Sequence, residues 1–317
     1  MRQKFFFRTL KYVRLHTWIL GAFCCLFGPL KGGAQTTSST PSISAGQDHN
    51  YAVSYDGQLW SWGNNSSGRL GDGGGTHRDL PYQLPGMTNV VTTAGGTSHG
   101  LFVRTDGTIL AVGLNDAGQL GNGTTATATN MVVVSGITNA VAVSAGIKHS
   151  LALTQDGRVL AWGSNQYGQL GDGTTTTRLT SVTASTGLVR NFIEVKAGGN
   201  HSLALRSGGD LLAWGQLNSQ TGSYSAWPSL KLTNVVTMAA GANHSLAVRQ
   251  DGTVWAWGEN ANGQLGIGTT NRADNATMVL GITNAVAGAA GANHSVALLA
   301  DGTIRTWGLN KFGQLGD

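Results

Sequence analysis

Six histidines recur at nearly equal intervals along the 317-residue chain, and an imidazole can ligate a metal ion or transfer a proton. Each ends an A-G-x-x-H motif or a close variant, at steps of 50, 50, 52, 43 and 50 residues. They are His49, His99, His149, His201, His244 and His294. No second ligand accompanies them at a fixed spacing. We therefore predict structural histidines whose ring nitrogens bond a loop carbonyl or a neighbouring repeat.

The acidic residues of the repeat are the next candidates, because carboxylates serve as general acids and as ligands for hard cations. An Asp-Gly pair follows each histidine by seven residues, except where Gly208-Gly209 replaces it. In the G-D-G-T loops the acidic position is Ile267 in one copy, and isoleucine cannot bind calcium. Glu194 and Glu259 are the only glutamates, and their spacing favours no glycosidase pair. We predict no catalytic residue, no metal ligand and no cofactor.

Two further motifs complete the repeat. Val112 replaces the tryptophan of a Trp-Gly pair in the second copy, and the other copies have Trp62, Trp162, Trp214, Trp257 and Trp307. Five copies end in G-[QR]-L-G, starting at Gly68, Gly118, Gly168, Gly263 and Gly313. Self-similarity at a period near 50 residues indicates a repeat architecture. The 48 glycines and the charged fraction of 11% favour many short strands joined by tight turns.

The third copy shows what one repeat builds. Leu151 and Leu153 alternate with smaller residues, a period of two that predicts a strand. Asp156-Gly157 predicts a two-residue hairpin turn, in which both positions can adopt positive φ. Residues 159–163 are then the returning strand. Each copy is therefore predicted to begin with an antiparallel hairpin.

The sizes of the strand residues predict how the repeats stack. Alanines recur in both strands, and leucine and tryptophan are expected on the alternate face, so that each sheet has a bulky side and a shallow side. The bulky side of one sheet would fill the shallow side of the next, giving an all-β propeller. In the second copy Phe102 and Val112 replace an alanine and a tryptophan. Compensation of volume between them is one interpretation that the sequence leaves open.

Together these motifs resemble the repeat of the regulator of chromosome condensation family, over residues 43–317. Kelch repeats have a similar period, but their glycine doublet occurs in only two copies here. The resemblance implies a seven-bladed β-propeller. Six copies are visible and the last is incomplete, ending at GQLGD, so at least one further blade is expected in the complete protein.

The family resemblance implies alternative functions. Its nuclear members are nucleotide exchange factors for the small GTPase Ran and associate with chromatin, but the basic tail of those members is missing here. Exported bacterial members, the propeller-type β-lactamase inhibitory proteins, are similar in size and in export. They bind a protein with loops on one face, and their binding residues follow no repeat motif. The chain is identified as a secreted, bacterial-type member of the family.

The N-terminal segment differs in composition from the repeats. Residues 1–34 combine a basic start, the apolar run WILGAFCCLFGPL and small residues, a layout that predicts a secretory signal peptide. A short linker, residues 35–42, follows. The apolar run is shorter than the ~20 residues that a membrane span needs, although a retained anchor is the alternative. Six of the 20 Lys and Arg residues and both cysteines lie in this segment.

The mature chain is consequently close to neutral. It retains 14 basic and 15 acidic residues, a net charge near −1, so no basic patch predicts nucleic-acid binding. It has no thiol and no disulfide. We expect a monomer that is secreted or held at the cell envelope, with no membrane span after cleavage.

The residues that do not repeat are the candidates for recognition. Aromatic side chains stand at loop positions that are small or polar in other copies, and the shortened fourth copy adds two more. These candidate partner-binding residues are Tyr167, Tyr224, Trp227 and Phe312. Rigid scaffolds commonly bind proteins through such aromatic loops. The alternative for Trp227 is that it fills the space left by the shortened loop.

The sequence therefore predicts a secreted, non-enzymatic protein-interaction scaffold. Two other functions remain as alternatives. One is a guanine-nucleotide exchange regulator, which the family resemblance implies. The other is a secreted propeller enzyme that acts on polysaccharides.

Overall fold

The structure is a computed structural model that describes residues 40–185, 190–216 and 224–317. The predicted signal peptide lies outside these ranges. The described residues form strands, turns and loops but no helix. Consequently none of them belongs to a helix long and apolar enough to cross a membrane.

Twenty-three strands are described, and they form six sheets. The first sheet contains β1 (Ser42–Ala45), β2 (His49–Val53), β3 (Leu59–Gly63) and β4 (Arg78–Gln83). The second contains β5 (Val90–Gly95), β6 (His99–Arg104), β7 (Ile109–Gly113) and β8 (Ala128–Val133). The third contains β9 (Ala140–Ala145), β10 (His149–Thr154), β11 (Val159–Gly163) and β12 (Arg178–Thr183).

The remaining three sheets follow the same order. The fourth contains β13 (Phe192–Ala197), β14 (His201–Arg206), β15 (Leu211–Gln216) and β16 (Tyr224–Leu232). The fifth contains β17 (Val235–Ala240), β18 (His244–Arg249), β19 (Val254–Gly258) and β20 (Ala273–Met278). The sixth contains β21 (Ala285–Ala290), β22 (His294–Leu299) and β23 (Ile304–Gly308).

These sheets are the blades of an all-β propeller, which confirms the predicted fold class. Within each sheet the strands pair antiparallel in chain order. Successive blades pack against one another, and their facing side chains form the hydrophobic clusters between them. The described residues form six blades. A seventh blade stays a prediction.

The hairpin turn differs from its prediction. The amide of Gly157 donates to the carbonyl of Thr154 (2.9 Å), and the amide of Thr154 donates to the carbonyl of Arg158. Gly157 has φ of +73°, whereas Asp156 does not have positive φ. This pattern is the three-residue hairpin, in which a turn is followed by a glycine in the left-handed region. The predicted two-residue turn was therefore wrong, although the returning strand begins and ends where it was expected.

The assignment of side chains to faces also needs correction. Ser150 pairs with Trp162, and Leu151 pairs with Ala161. Directly opposed residues of an antiparallel pair project to the same face. Trp162 therefore shares one face with Ser150, and Ala161 shares the other face with Leu151. The prediction of one bulky and one shallow side per sheet was wrong.

Complementarity is instead achieved strand by strand. Leu151 on β10 and Ala161 on β11 face the next blade, where they share one buried cluster with Ala204 on β14 and Trp214 on β15. In the second strands, the large Leu151 of the third blade faces the small Ala204 of the fourth. In the third strands, the small Ala161 faces the large Trp214. The blades therefore fit because the size order is reversed between the two strands.

The two exceptions in the second copy do lie together. Phe102 and Val112 are both fully buried in one cluster, on the face of the second blade that meets the first. The ring of Phe102 makes an edge contact with Tyr51 of the first blade, with centroids 4.8 Å apart. The larger phenylalanine and the smaller valine thus occupy a single junction, as compensation of volume requires.

Candidate protein-binding site

The recurring histidines join one blade to the next. The Nε2 atoms of His99 and His149 each lie 3.0 Å from the Oγ of a serine in the following blade, Ser150 and Ser202 respectively. The corresponding bonds of His201 and His244 are 2.9 Å long and reach Ser245 and Ser295. The histidines therefore bond a neighbouring blade.

The serine hydroxyl identifies which imidazole nitrogen carries the proton. Ser150 Oγ donates to the backbone carbonyl of Gln119 (2.8 Å), so its proton is already used. His99 Nε2 must then be the donor to Ser150, which fixes the neutral tautomer with hydrogen on Nε2. The same relay runs from His149 through Ser202 to Gln169.

Burial keeps these imidazoles uncharged. Desolvation lowers the pKa of His99 and His149 to about 3, and that of His49, His201 and His244 to about 4. No group of three or more His, Cys, Asp or Glu side chains suited to a metal ion occurs among the described residues. These five histidines are neutral at physiological pH, and four of them, His99, His149, His201 and His244, hydrogen-bond a serine of the next blade.

The recurring tryptophans use the same carbonyl groups. The indole Nε1 of Trp162 donates to Gln119 O, and that of Trp214 donates to Gln169 O, both at 2.9 Å. Trp307 donates to Gln264 O at 2.8 Å. Each such glutamine carbonyl thereby accepts a serine hydroxyl and an indole from the next blade. Trp257 is buried without such a bond in the described structure, and Trp62 is half-buried.

The recurring aspartates are engaged in local bonds. In the hairpin turns Asp251 accepts from both the amide and the hydroxyl of Thr253, and these bonds lower its pKa. In the G-D-G-T loops Asp172 pairs with Arg178 (2.8 Å) and accepts from the side-chain amide of Asn165 (3.0 Å). The carboxylates therefore hold turns and loops in place.

Three of the four predicted recognition residues lie on segments that approach each other at the junction of the third and fourth blades. A Cβ on Gly168, next to the half-buried Tyr167, would lie 2.5 Å from the Cα of Ala226. Trp227 follows Ala226 on β16, the outermost strand of its blade, and Tyr224 begins that strand. Trp227 is 58% exposed and Tyr224 50% exposed. We call Tyr167, Tyr224 and Trp227 the aromatic rim.

The indole of Trp227 is held in place by the preceding blade. A Cβ on Gly173 would lie 2.4 Å from Cη2 and Cζ2 of the indole, so the ring packs directly on this glycine. The amide of Gly173 also donates to the carbonyl of Ala226 (3.0 Å). The tryptophan therefore packs on a loop of the preceding blade and leaves much of its surface exposed. Whether it also fills the space left by the shortened loop stays a prediction.

Phe312 does not join the aromatic rim. It lies in the loop after β23 of the sixth blade and is 82% exposed. Its backbone amide donates to the side-chain oxygen of Gln314, the same bond that Tyr167 makes with Gln169 in the third blade. The two aromatics thus occupy equivalent loop positions in different blades.

The junction between the first and second blades departs from the repeat. Between the first and second blades, Arg69 stands where other copies have glutamine, and Gly100 stands where they have the serine. The hydroxyl of Tyr51 takes the role of the missing serine and donates to Arg69 O. Departures from the repeat at these three positions were visible in the sequence, but only the structure brings them to one place.

The fold and the blade-to-blade relay define a class of protein. It is a propeller of ~50-residue repeats whose recurring histidines, serines and tryptophans form hydrogen bonds between neighbouring blades. Residues 88–317 match the family model described as RCC1-like domain. Residues 56–103 and 42–69 match two models of the regulator of chromosome condensation (RCC1) repeat. The chain belongs to the RCC1-like family.

Solved structures share this fold. Prp20p from Saccharomyces cerevisiae, studied for its binding to Gsp1p and histones, is 25% identical with a TM-score of 0.76, covering 87% of this chain and 73% of that chain. Yeast RCC1 (Prp20) bound to Kap60 is 24% identical with a TM-score of 0.73, covering 85% and 70%. Human WBSCR16 is 24% identical with a TM-score of 0.72, covering 81% and 71%.

Proposed function

We propose that this chain is an exported, non-enzymatic propeller that binds a protein partner through its aromatic rim. The observation that carries the proposal is the placement of Trp227, which is fixed on Gly173 and yet 58% exposed. A rigid, partly exposed aromatic ring loses little conformational entropy on binding and is typical of interface hot spots. Tyr167 and Tyr224 lie along the same junction and extend the surface.

The remaining polar groups support a binding role over catalysis. Four buried histidines are neutral and bonded to a serine of the next blade, and the loop aspartates are paired with arginine or with turn hydroxyls. A general acid or base would need a free group with its pKa near the working pH. A protein of similar fold, yeast Prp20p, was solved bound to Kap60 and was studied for its binding to Gsp1p and histones.

Export is proposed from the N-terminal sequence alone, which lies outside the described residues. A signal peptide ending near Ala34 would leave a chain without cysteine. N-terminal sequencing of the protein recovered from the culture medium or the cell envelope tests this. An intact N-terminus on protein confined to the cytoplasm would contradict it.

The binding site has a matched control within the chain. By strand register, Trp227 occupies the position that Leu80 and Thr180 occupy in the first and third blades. Leu80 is 77% exposed. We predict that Trp227→Thr lowers capture of a partner from the medium and envelope extract of the producing cells by at least about tenfold, as loss of a hot-spot residue does. Leu80→Thr should leave capture unchanged.

Capture is measured on the immobilised full chain, with quantification of each retained protein. A partner that is lost with Trp227→Thr and kept with Leu80→Thr supports the aromatic rim as the site. Equal loss with both variants, or with neither, would contradict it. Melting temperatures of the three proteins separate lost binding from lost folding.

Binding of a small GTPase is a second candidate, favoured by the 25% identity to Prp20p across 87% of this chain. The decisive assay is nucleotide release from Gsp1p at increasing concentrations of this protein. Faster release would support an exchange factor. An unchanged release rate would leave the scaffold proposal as the only one of the two that stands.

A further inference from the structure

The junction of the first and second blades contains a buried guanidinium with no carboxylate beside it. Arg69 is 6% exposed and forms no ion pair with any described acidic residue. Its Nη1 donates to Thr97 O and its Nη2 donates to Ser66 Oγ, both at 3.0 Å. Its Nε is buried without a hydrogen-bond partner among the described residues. A buried charge in this state is costly unless an anion compensates it.

A second buried group at this junction lacks the partner that its counterparts have. His49 is almost fully buried, and its ring lacks the serine hydroxyl that bonds His99 and His149 at the following junctions. The relay that bonds the other histidines is missing because Gly100 has replaced the serine. The His49 ring lies 5.0 Å from that of Tyr51, whose hydroxyl donates to Arg69 O. Tyr51 therefore lies next to both the His49 ring and the backbone of Arg69 at this junction.

The next junction shows what chemistry this position accepts. There the residue equivalent to Arg69 is Gln119, and the residue equivalent to Ser66 is Asp116. The side-chain amide of Gln119 donates to Asp116 Oδ1 (3.1 Å), and Lys148 pairs with the same carboxylate (2.5 Å). The equivalent place in the first blade has the cation but only a serine hydroxyl. A carboxylate fits this part of the loop, and the first blade does not supply one.

We infer that the cluster of Ser66, Arg69 and Thr97 is a binding site for a carboxylate from outside the chain. The guanidinium would donate to the carboxylate as a charge-assisted pair, with the exposed Ser66 marking the side from which the ligand enters. Ser66 lies in the same loop of its blade as Tyr167 does in the third. A free small carboxylate and an Asp or Glu side chain of a partner share this chemistry.

Two test variants introduce residues that other copies of the repeat already have at the same positions. Arg69→Gln restores the glutamine of the other G-Q-L-G loops and removes the cation. Ser66→Asp supplies the carboxylate internally, as the second blade does. Gln169→Ala, in the equivalent loop of the third blade, is the control that leaves the site intact.

The test is a titration of the full chain with sodium acetate against sodium chloride at constant ionic strength, followed by melting temperature and by the Nε–Hε resonance of Arg69. A ligand that binds only the folded state raises the melting temperature with concentration. We expect an acetate-specific rise in the wild type and in Gln169→Ala. Arg69→Gln and Ser66→Asp should weaken the response by about tenfold or more, the effect of losing a charged hydrogen bond.

A blocked Gly-Glu-Gly peptide, compared with its Gly-Gln-Gly counterpart, identifies the source of the carboxylate. Tighter binding of the glutamate peptide than of acetate indicates a side chain of a protein partner, and equal binding indicates a free small carboxylate. Identical responses of wild type and Arg69→Gln to acetate and to the peptides would overturn the inference.

Discussion

At the residue scale, the repeat motif is explained by the imidazole and its surroundings. A Cβ on Gly146 would lie 2.4 Å from His149 Cε1, so the glycine of A-G-x-x-H makes room for the ring. The ring then donates across the blade junction to Ser202. The sequence predicted a structural histidine whose partner was either a loop carbonyl or a neighbouring repeat. It did not predict the serine partner. The serine that bonds His149 is Ser202, which follows the histidine of the next copy and is distant in the sequence.

Removal of one imidazole tests this relay. We predict that His149→Ala lowers the free energy of unfolding by about 2–4 kcal/mol, because it leaves a buried cavity and removes the hydrogen bond to Ser202. Ser202→Ala should cost about 1–3 kcal/mol, because it leaves the buried Nε2–H of His149 without an acceptor. Urea denaturation of both single variants and the double variant measures the coupling between them. Strictly additive effects would contradict a direct bond between the two side chains.

At the element scale, the strands were predictable but their pairing was not. Alternation along β10 and β11 reveals which residues of one strand share a face. It does not reveal which residues of the neighbouring strand lie on the same face of the sheet. A shift of register by one residue moves every side chain of that strand to the opposite face. The observed register places Trp162 beside Ser150, where both donate to Gln119 O. The predicted separation of large and small faces failed for this reason.

The indole bond gives the prediction that belongs to this scale. Trp162→Phe should lower the free energy of unfolding by more than Trp257→Phe, by about 1 kcal/mol, because only Trp162 donates to a carbonyl of the preceding blade. Both tryptophans are buried, so the loss of ring volume is similar. Chemical denaturation of the two variants provides the comparison. Equal losses would show that the indole bond contributes nothing to the junction.

At the scale of the whole molecule, stacking of the blades brings together residues that are distant in the sequence. Tyr167 and Trp227 were both recognised as departures from the repeat, but no spacing rule placed them at one junction. Phe312 was recognised by the same criterion and lies in the sixth blade. The Arg69 cluster depends equally on stacking, since it joins a loop of one blade to a turn of the next.

The stacked histidines predict how the whole propeller responds to acid. Five buried histidines have pKa values near 3 or 4, below the ordinary value of 6.5. Only the unfolded chain binds protons between these values, so stability is full above pH 6.5 and falls as the pH decreases towards 4. Each histidine should cost about 2 kcal/mol at pH 5 relative to pH 8.

Urea denaturation at the two pH values measures this loss, and His149→Gln should reduce it by one increment. A stability that does not change between pH 8 and pH 5 would contradict the burial of neutral imidazoles. The carboxylates of the turns, whose pKa values are lowered, lose their contribution only at lower pH.

The central claim is that the repeated residues hold the blades together and the non-repeated rim residues bind the partner. The most direct test measures melting temperature and partner capture together for His149→Ala and Trp227→Thr. We predict that His149→Ala lowers the melting temperature and retains capture by the folded fraction, whereas Trp227→Thr loses capture with its melting temperature nearly unchanged. Undiminished capture by Trp227→Thr, or loss of capture by folded His149→Ala, would contradict the account.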